Sequence, residues 1–133
     1  MNWLRLKRMA LEGALEKIRE GLEERIKRQL SGLQGLVVKP VYNSMMPLRV
    51  EVSLAPEIFE LVFLKDGVVE LGRSSGSNVD VRIESDAQTF MSLFKDPSTE
   101  LFNELERKSR IRITSLTRKG KDAEGYIRRY FAG

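Results

Sequence analysis

The chain has no cysteine and no histidine among its 133 residues. Without cysteine there are no disulfides, no thiolate nucleophile and no thiolate metal site, and a reducing compartment, the cytoplasm, is the expected setting. Without histidine the commonest general base and transition-metal ligand are absent. Tryptophan occurs once, and proline only four times. No run of about 18 apolar residues is present to span a membrane, and no uninterrupted apolar core follows the first charges to make a signal peptide. Abundant charge of both signs without cysteine is also a thermophile's composition.

The charge that is present is unevenly placed. Residues 1–30 carry eight Lys/Arg against five Glu, residues 31–106 six against twelve acidic groups, and residues 107–133 nine against two. The basic tail is suited to a phosphate-bearing partner or to a solvated face that offsets the acidic middle. The length predicts one domain, 1–133, with a core of its own.

Apolar periodicity sets the elements. Leu4, Leu11, Leu15, Ile18, Leu22, Ile26 and Leu30 predict a long amphipathic N-terminal helix within 1–33, ending where Gly32 or Gly35 takes the left-handed conformation. Glu16 and Glu20 form a like-charge pair within it; Glu23–Lys27 and Glu24–Arg28 are favourable ones. Its tip, "WLRLKR", sets Trp3 beside Arg5, Lys7 and Arg8, a pattern suited to a membrane interface. Pro40 and Pro47 then predict short extended pieces. Val50, Val52 and Leu54 alternate with polar residues as a strand, and 58–64 and 68–71 form a hairpin about Asp66-Gly67. "GRSSGSN", 72–78, lacks the Lys-Ser/Thr ending of a phosphate loop and runs into a strand, so it is a connection.

In "VDVRIESDAQTFMSLF", 79–94, a strand gives way to a helix, with Ser85 as N-cap and Gln88 completing a capping box. The apolar face of this helix is Ala87, Phe90, Met91 and Phe94. Asp96 as N-cap and Pro97 at the first position start a helix presenting Leu101, Phe102 and Leu105. "SRIRITSL" is a strand with Ile111 and Ile113 on one face and Arg110 and Arg112 on the other. A last helix from about Asp122 sets Tyr126, Ile127 and Tyr130 on its apolar face. The order predicts an α+β fold: about five mostly antiparallel strands covered on one face by helices.

No catalytic constellation emerges. No spacing singles out a Ser–Lys pair, and Asp80 and Glu84 stand roughly 13 Å apart along a strand. A non-enzymatic protein is therefore expected, with no metal and no cofactor. Arg110, Arg112, Arg118, Lys119 and Lys121, followed by two tyrosines, could track phosphates, but tyrosines on the core face leave only unspecific attraction to nucleic acid.

From Asp80 onward, "SNVDVRIESDAQTFMSLFKD", "PSTELFNELERKSRIRIT" and "KDAEGYIRRYFAG" resemble the sterol carrier protein type 2 family, and "FELVFLKDGVVELG" is similar to its central strands. The resemblance covers roughly residues 48–131. It departs where Ser109 and Ser115 stand near family glycines, and in the long, charged first helix. It implies a five-stranded sheet under helices with an apolar tunnel between them for a lipid or fatty-acyl ligand. Carried over by position, the tunnel is lined by Phe90, Met91, Phe94, Leu101, Phe102, Leu105, Tyr126, Ile127 and Tyr130. Trp3, Arg5, Lys7, Arg8, Arg110, Arg112, Arg118, Lys119 and Lys121 would meet anionic headgroups. Pattern alone leaves a closed core as the alternative. The other reading is an interaction module whose first helix pairs with a partner or a second copy.

Overall fold

The computed structural model describes residues 3–74 and 76–132, the side chains of Leu4 and of residues 130–132 excepted. Among the described residues ten elements follow one another, together with a single 3-10 turn. They are α1 (Trp3–Gln29), α2 (Gly32–Met45), β1 (Leu48–Leu54), β2 (Glu57–Phe63), β3 (Val69–Arg73), β4 (Val81–Ser85), α3 (Ala87–Lys95), α4 (Thr99–Arg107), β5 (Ile111–Ser115) and α5 (Arg118–Ala132). The strands form one sheet in the order β3-β2-β1-β4-β5. Only β1 and β4 run parallel. The α+β architecture with helices over one face is as the patterning predicted.

Period two decides which face is covered. Leu48, Val50, Val52 and Leu54 of β1 are buried, and the register sets Phe59, Leu61, Val81 and Ile83 beside them. Leu15 and Ile18 of α1, Phe90 and Leu93 of α3, Phe102 of α4 and Ala123 of α5 close this core. The outer face is charged. Glu51 and Glu60 oppose each other across β1 and β2 and are buried, a costly pair unless each has a cation. Arg82 and Ser74 bond Glu51, and Arg49 lies 3.3 Å from Glu60. Burial pushes the Glu51 carboxyl up, but Arg82 and Ser74 outweigh it and hold it below its usual range.

The Asp66-Gly67 turn forms as expected, with φ of 63° and 83° at the two residues. Gly32, φ 74°, takes the left-handed conformation predicted for the end of α1.

Four local expectations are corrected. Residues 32–45 are helical, not extended, with Pro40 inside the helix. Asp86, not Ser85, caps α3: its carboxylate accepts from Thr89 N at 2.8 Å, and no Ser85 box forms. Ser98, not Asp96, caps α4, leaving Pro97 before the helix. The last helix begins at Arg118, a turn earlier than expected, because Thr117 Oγ1 accepts from Gly120 N at 2.9 Å.

That start is fastened to the sheet by Asp80. Its carboxylate accepts from Arg49 N at 2.9 Å and Thr117 Oγ1 at 2.7 Å, and its carbonyl accepts from Leu116 N at 2.8 Å. Gly120 packs so closely that a Cβ there would stand 2.0 Å from Asp80 O.

Candidate functional site

The long first helix meets the edge of the sheet through charged side chains. Arg19 Nη1 donates to Val69 O at 3.0 Å, and Glu23 Oε2 accepts from Val69 N at 3.2 Å. The two side chains thus take both hydrogen bonds of Val69 at the outer edge of β3. Arg19 also bridges Glu16 at 2.6 Å and Glu20 at 3.9 Å, which relieves the Glu16–Glu20 repulsion read from the sequence. The hydrogen bond to Glu16 raises the Arg19 pKa, and the hydrogen bonds from Lys27 and Val69 N hold the Glu23 carboxyl below its usual range.

Nearer the N-terminus of α1 the same flank carries Glu16, Gly13, Glu12 and Met9, and here a cleft of about 480 Å³ opens against Phe59, Leu71, Gly72 and Arg73. Its floor is apolar. Its α1 wall is open because Gly13 has no side chain, and a Cβ there would meet nothing within 4 Å. Trp3, Leu6 and Met9 are exposed along the tip of α1 leading to it. Arg8 holds the tip to the sheet, 3.4 Å from Glu57 and 3.5 Å from Glu12. Sequence reasoning missed Met9, Gly13, Phe59 and Leu71 as a group. The one available signal was a glycine in the middle of a strongly periodic helix.

The residues predicted to line a tunnel fall into three environments. Phe90 and Phe102 are sealed in the core, 1% and 3% exposed. Met91, Phe94, Leu101, Leu105 and Ile127 are half-buried and pack against that core, with the Phe90 and Phe94 rings 4.8 Å apart. Tyr126, expected on the core face, is 70% exposed, with the Arg129 guanidinium over its ring at 5.8 Å. Ala123 and Ile127, four apart on α5, face the core, and Tyr126, 100° around the helix from Ile127, faces out. The side chain of Tyr130 lies outside the described residues.

The basic set is divided by the fold. Trp3, Arg5, Lys7 and Arg8 lie toward the end of the sheet where β2 and β5 begin, as do Arg110 and Arg112 at its far edge. Arg118, Lys119 and Lys121 lie at the opposite end, where β5 finishes. Several are already engaged: Lys7 over the Trp3 ring, Arg110 with Asp86 and Thr89, Lys119 with Asp80 and the Pro47 carbonyl. Arg110 and Arg112 flank a shallow polar cleft of about 270 Å³ with Glu84, Ser85, Asp86 and Ser109. Burial pushes the Asp86 carboxyl up, but the bonds from Thr89 and Arg110 outweigh it and hold it low, as a helix cap requires. Among the described residues no helix is long and apolar enough to cross a membrane.

A scan against family models finds no match, and neither does a search of curated proteins. Solved structures do match. A protein described as "UbiJ-SCP2 Ubiquinone synthesis protein" superposes with a TM-score of 0.55 at 13% identity, over 92% of this chain and 98% of that one. The solution structure of sterol carrier protein domain 2 of Helicoverpa armigera superposes with a TM-score of 0.50 at 17% identity, over 90% and 89%. What this chain shares with them is the sterol-carrier-protein-2-like fold.

Proposed function

We propose that the chain is a non-enzymatic binder of a lipid or other apolar molecule. The observation that carries this reading is the apolar-floored cleft between α1 and the β2–β3 edge. Its volume falls within the roughly 300–1,000 Å³ of small-molecule sites. Each methylene moved from water onto Leu71 and Met9, over the core side chain of Phe59, contributes about 0.8 kcal/mol, so an acyl or isoprenoid chain needs few polar contacts. Glu12 and Glu16 on one wall, paired with Arg8 and Arg19, face Arg73 on the other, so the rim carries charge of both signs. The likeness in fold to structures named for a sterol carrier and for ubiquinone synthesis supports the same class of ligand.

The half-buried layer of Met91, Phe94, Leu101, Leu105 and Ile127 is the second seat to consider, because a chain could enter between α3 and α4 if these side chains part. Two substitutions separate the seats. Gly13→Leu fills the α1 cleft, while Met91→Trp overpacks the α3 layer. Native mass spectrometry after lipid extraction and titration with mono-oleoylglycerol are the readouts. Loss of uptake in Gly13→Leu alone supports the cleft. Loss in Met91→Trp alone moves the ligand to α3–α5. No co-purifying lipid and no uptake by the unaltered protein would sink the reading.

Self-association through the first helix is the alternative reading. Leu15 and Ile18 of its apolar stripe are buried in the chain's own core, so a pairing would have to use Trp3, Leu6 and Met9 at the tip.

A further inference from the structure

Among the described residues the largest run of exposed aliphatic side chains lies on neither candidate seat. It is on α2, where Leu33 is 85% exposed, Leu36 75%, Val37 74%, Val41 62% and Val38 46%. The helix is held by its other side. Asn43 and Asp66 exchange hydrogen bonds at 3.1 and 2.9 Å, and Gly35 packs onto the Leu30 carbonyl. At 100° per residue, Leu36, Pro40, Leu33, Val37, Val41 and Val38 sweep about 200° of arc, interrupted by Ser44 near its middle and by Gln34 beside Val38. Five aliphatic side chains so exposed on one side of a helix are suited to an apolar medium, with the two polar groups among them at its boundary.

The surrounding charge says which medium. α2 contains no acidic residue. Lys39 lies on its polar side, Lys65 is exposed in the turn packed against it, and Lys119 Nζ reaches the Pro47 carbonyl, bringing Arg118 and Lys121 to the same end. Acidic groups there include Asp66, Asp80 and Asp122, with Glu23 and Glu24 of the neighbouring α1 paired to Lys27 and Arg28. Asp80 is buried, and Asp66 is held by Asn43 and Lys39. A second copy docked on α2 would bring two such basic rims together and cover only a seam narrower than the arc. An anionic bilayer accepts both the arc and the rim.

We infer that α2 is a membrane-docking helix that sinks Leu33, Leu36, Val37, Val38 and Val41 into the headgroup–acyl boundary of an anionic bilayer. This goes beyond the ligand reading and does not depend on it. The test is cosedimentation of the full chain with phosphatidylcholine vesicles, with and without phosphatidylglycerol. The unaltered protein should sediment with the anionic vesicles and be released by salt. The Leu36→Asp/Val37→Asp variant should lose partitioning at least about tenfold, since two aliphatic side chains no longer leave water. Arg118→Glu/Lys121→Glu should weaken binding to anionic vesicles only. Both variants alter exposed positions and should keep the far-UV circular dichroism of the parent. Gly13→Leu should bind vesicles normally, so failure of the ligand reading leaves this one standing. An unaltered protein that stays in the supernatant at low salt overturns it, as does a Leu36→Asp/Val37→Asp variant that binds undiminished. A dimer that this variant dissolves, without vesicle binding by the parent, would assign α2 to a second copy instead.

Discussion

Ser109 stands with φ 59° at the end of α4, where its N–H reaches Glu106 O at 3.0 Å and the next, Arg110 N, reaches Leu105 O at 2.8 Å. These two bonds are the Schellman pattern that glycine favours. Ser109 thus holds a conformation that glycine adopts freely, with a Cβ penalty. Ser109→Gly should stabilise the protein by about 1 kcal/mol, read as a rise in thermal midpoint. Gly120 is the opposite case. Gly120→Ala drives a methyl into Asp80 O and should cost about 3 kcal/mol by denaturant titration. Glu23 gives a pH signature. Its carboxyl is held below the usual range in the folded state, so its contribution is complete above about pH 4.5 and is lost as pH falls through the lowered value. Glu23→Gln should flatten that part of the acid limb of a stability–pH curve, leaving stability at neutral pH lower than the parent's.

At the scale of elements, Gly13→Leu should leave α1 intact or strengthen it, since glycine costs a helix interior about 1 kcal/mol. A loss of mono-oleoylglycerol uptake with an unchanged or raised melting temperature would then be a filled cleft, not a damaged fold. The elements themselves were largely legible in the sequence. The strands at 48–54, 81–85 and 111–115 alternate cleanly because one face of the sheet is wet. α2 was not legible: "LVVKPVY" has β-branched residues and a proline, and it is helical because the turn at Asp66 and the carbonyl of Leu30 fasten it from outside the segment. The caps of α3 and α4 were misplaced by one or two residues for a related reason. Several residues in "ESDAQ" and "DPSTE" can cap, and tertiary contacts select one, as Arg110 does at Asp86. The cleft was illegible because its walls come from α1, β2 and β3, some 50 residues apart in sequence.

For the whole molecule, the first helix is part of the domain. Leu15 and Ile18 are 0% and 8% exposed, and losing such side chains costs about 2–5 kcal/mol each, against a domain stability of about 5–15 kcal/mol. Deleting residues 1–30 should abolish cooperative unfolding, measured by circular dichroism, so this truncation cannot report on self-association alone. Survival of a sharp transition would show that residues 31–133 fold independently. The clamp of Arg19 and Glu23 on Val69 has a further consequence. A five-stranded open sheet has two edges, each a template for strands from other molecules. At β3 the outward N–H and C=O of one residue, Val69, are already bonded by side chains of α1, and a strand approaching that edge must first displace a helix anchored in the core. The other edge, β5, is only five residues long, with Arg112 exposed on its outer face. The sheet is thus kept finite by a helix on one side and by brevity and charge on the other, which protects a protein with bare aliphatic groups on α2 from growing by strand addition.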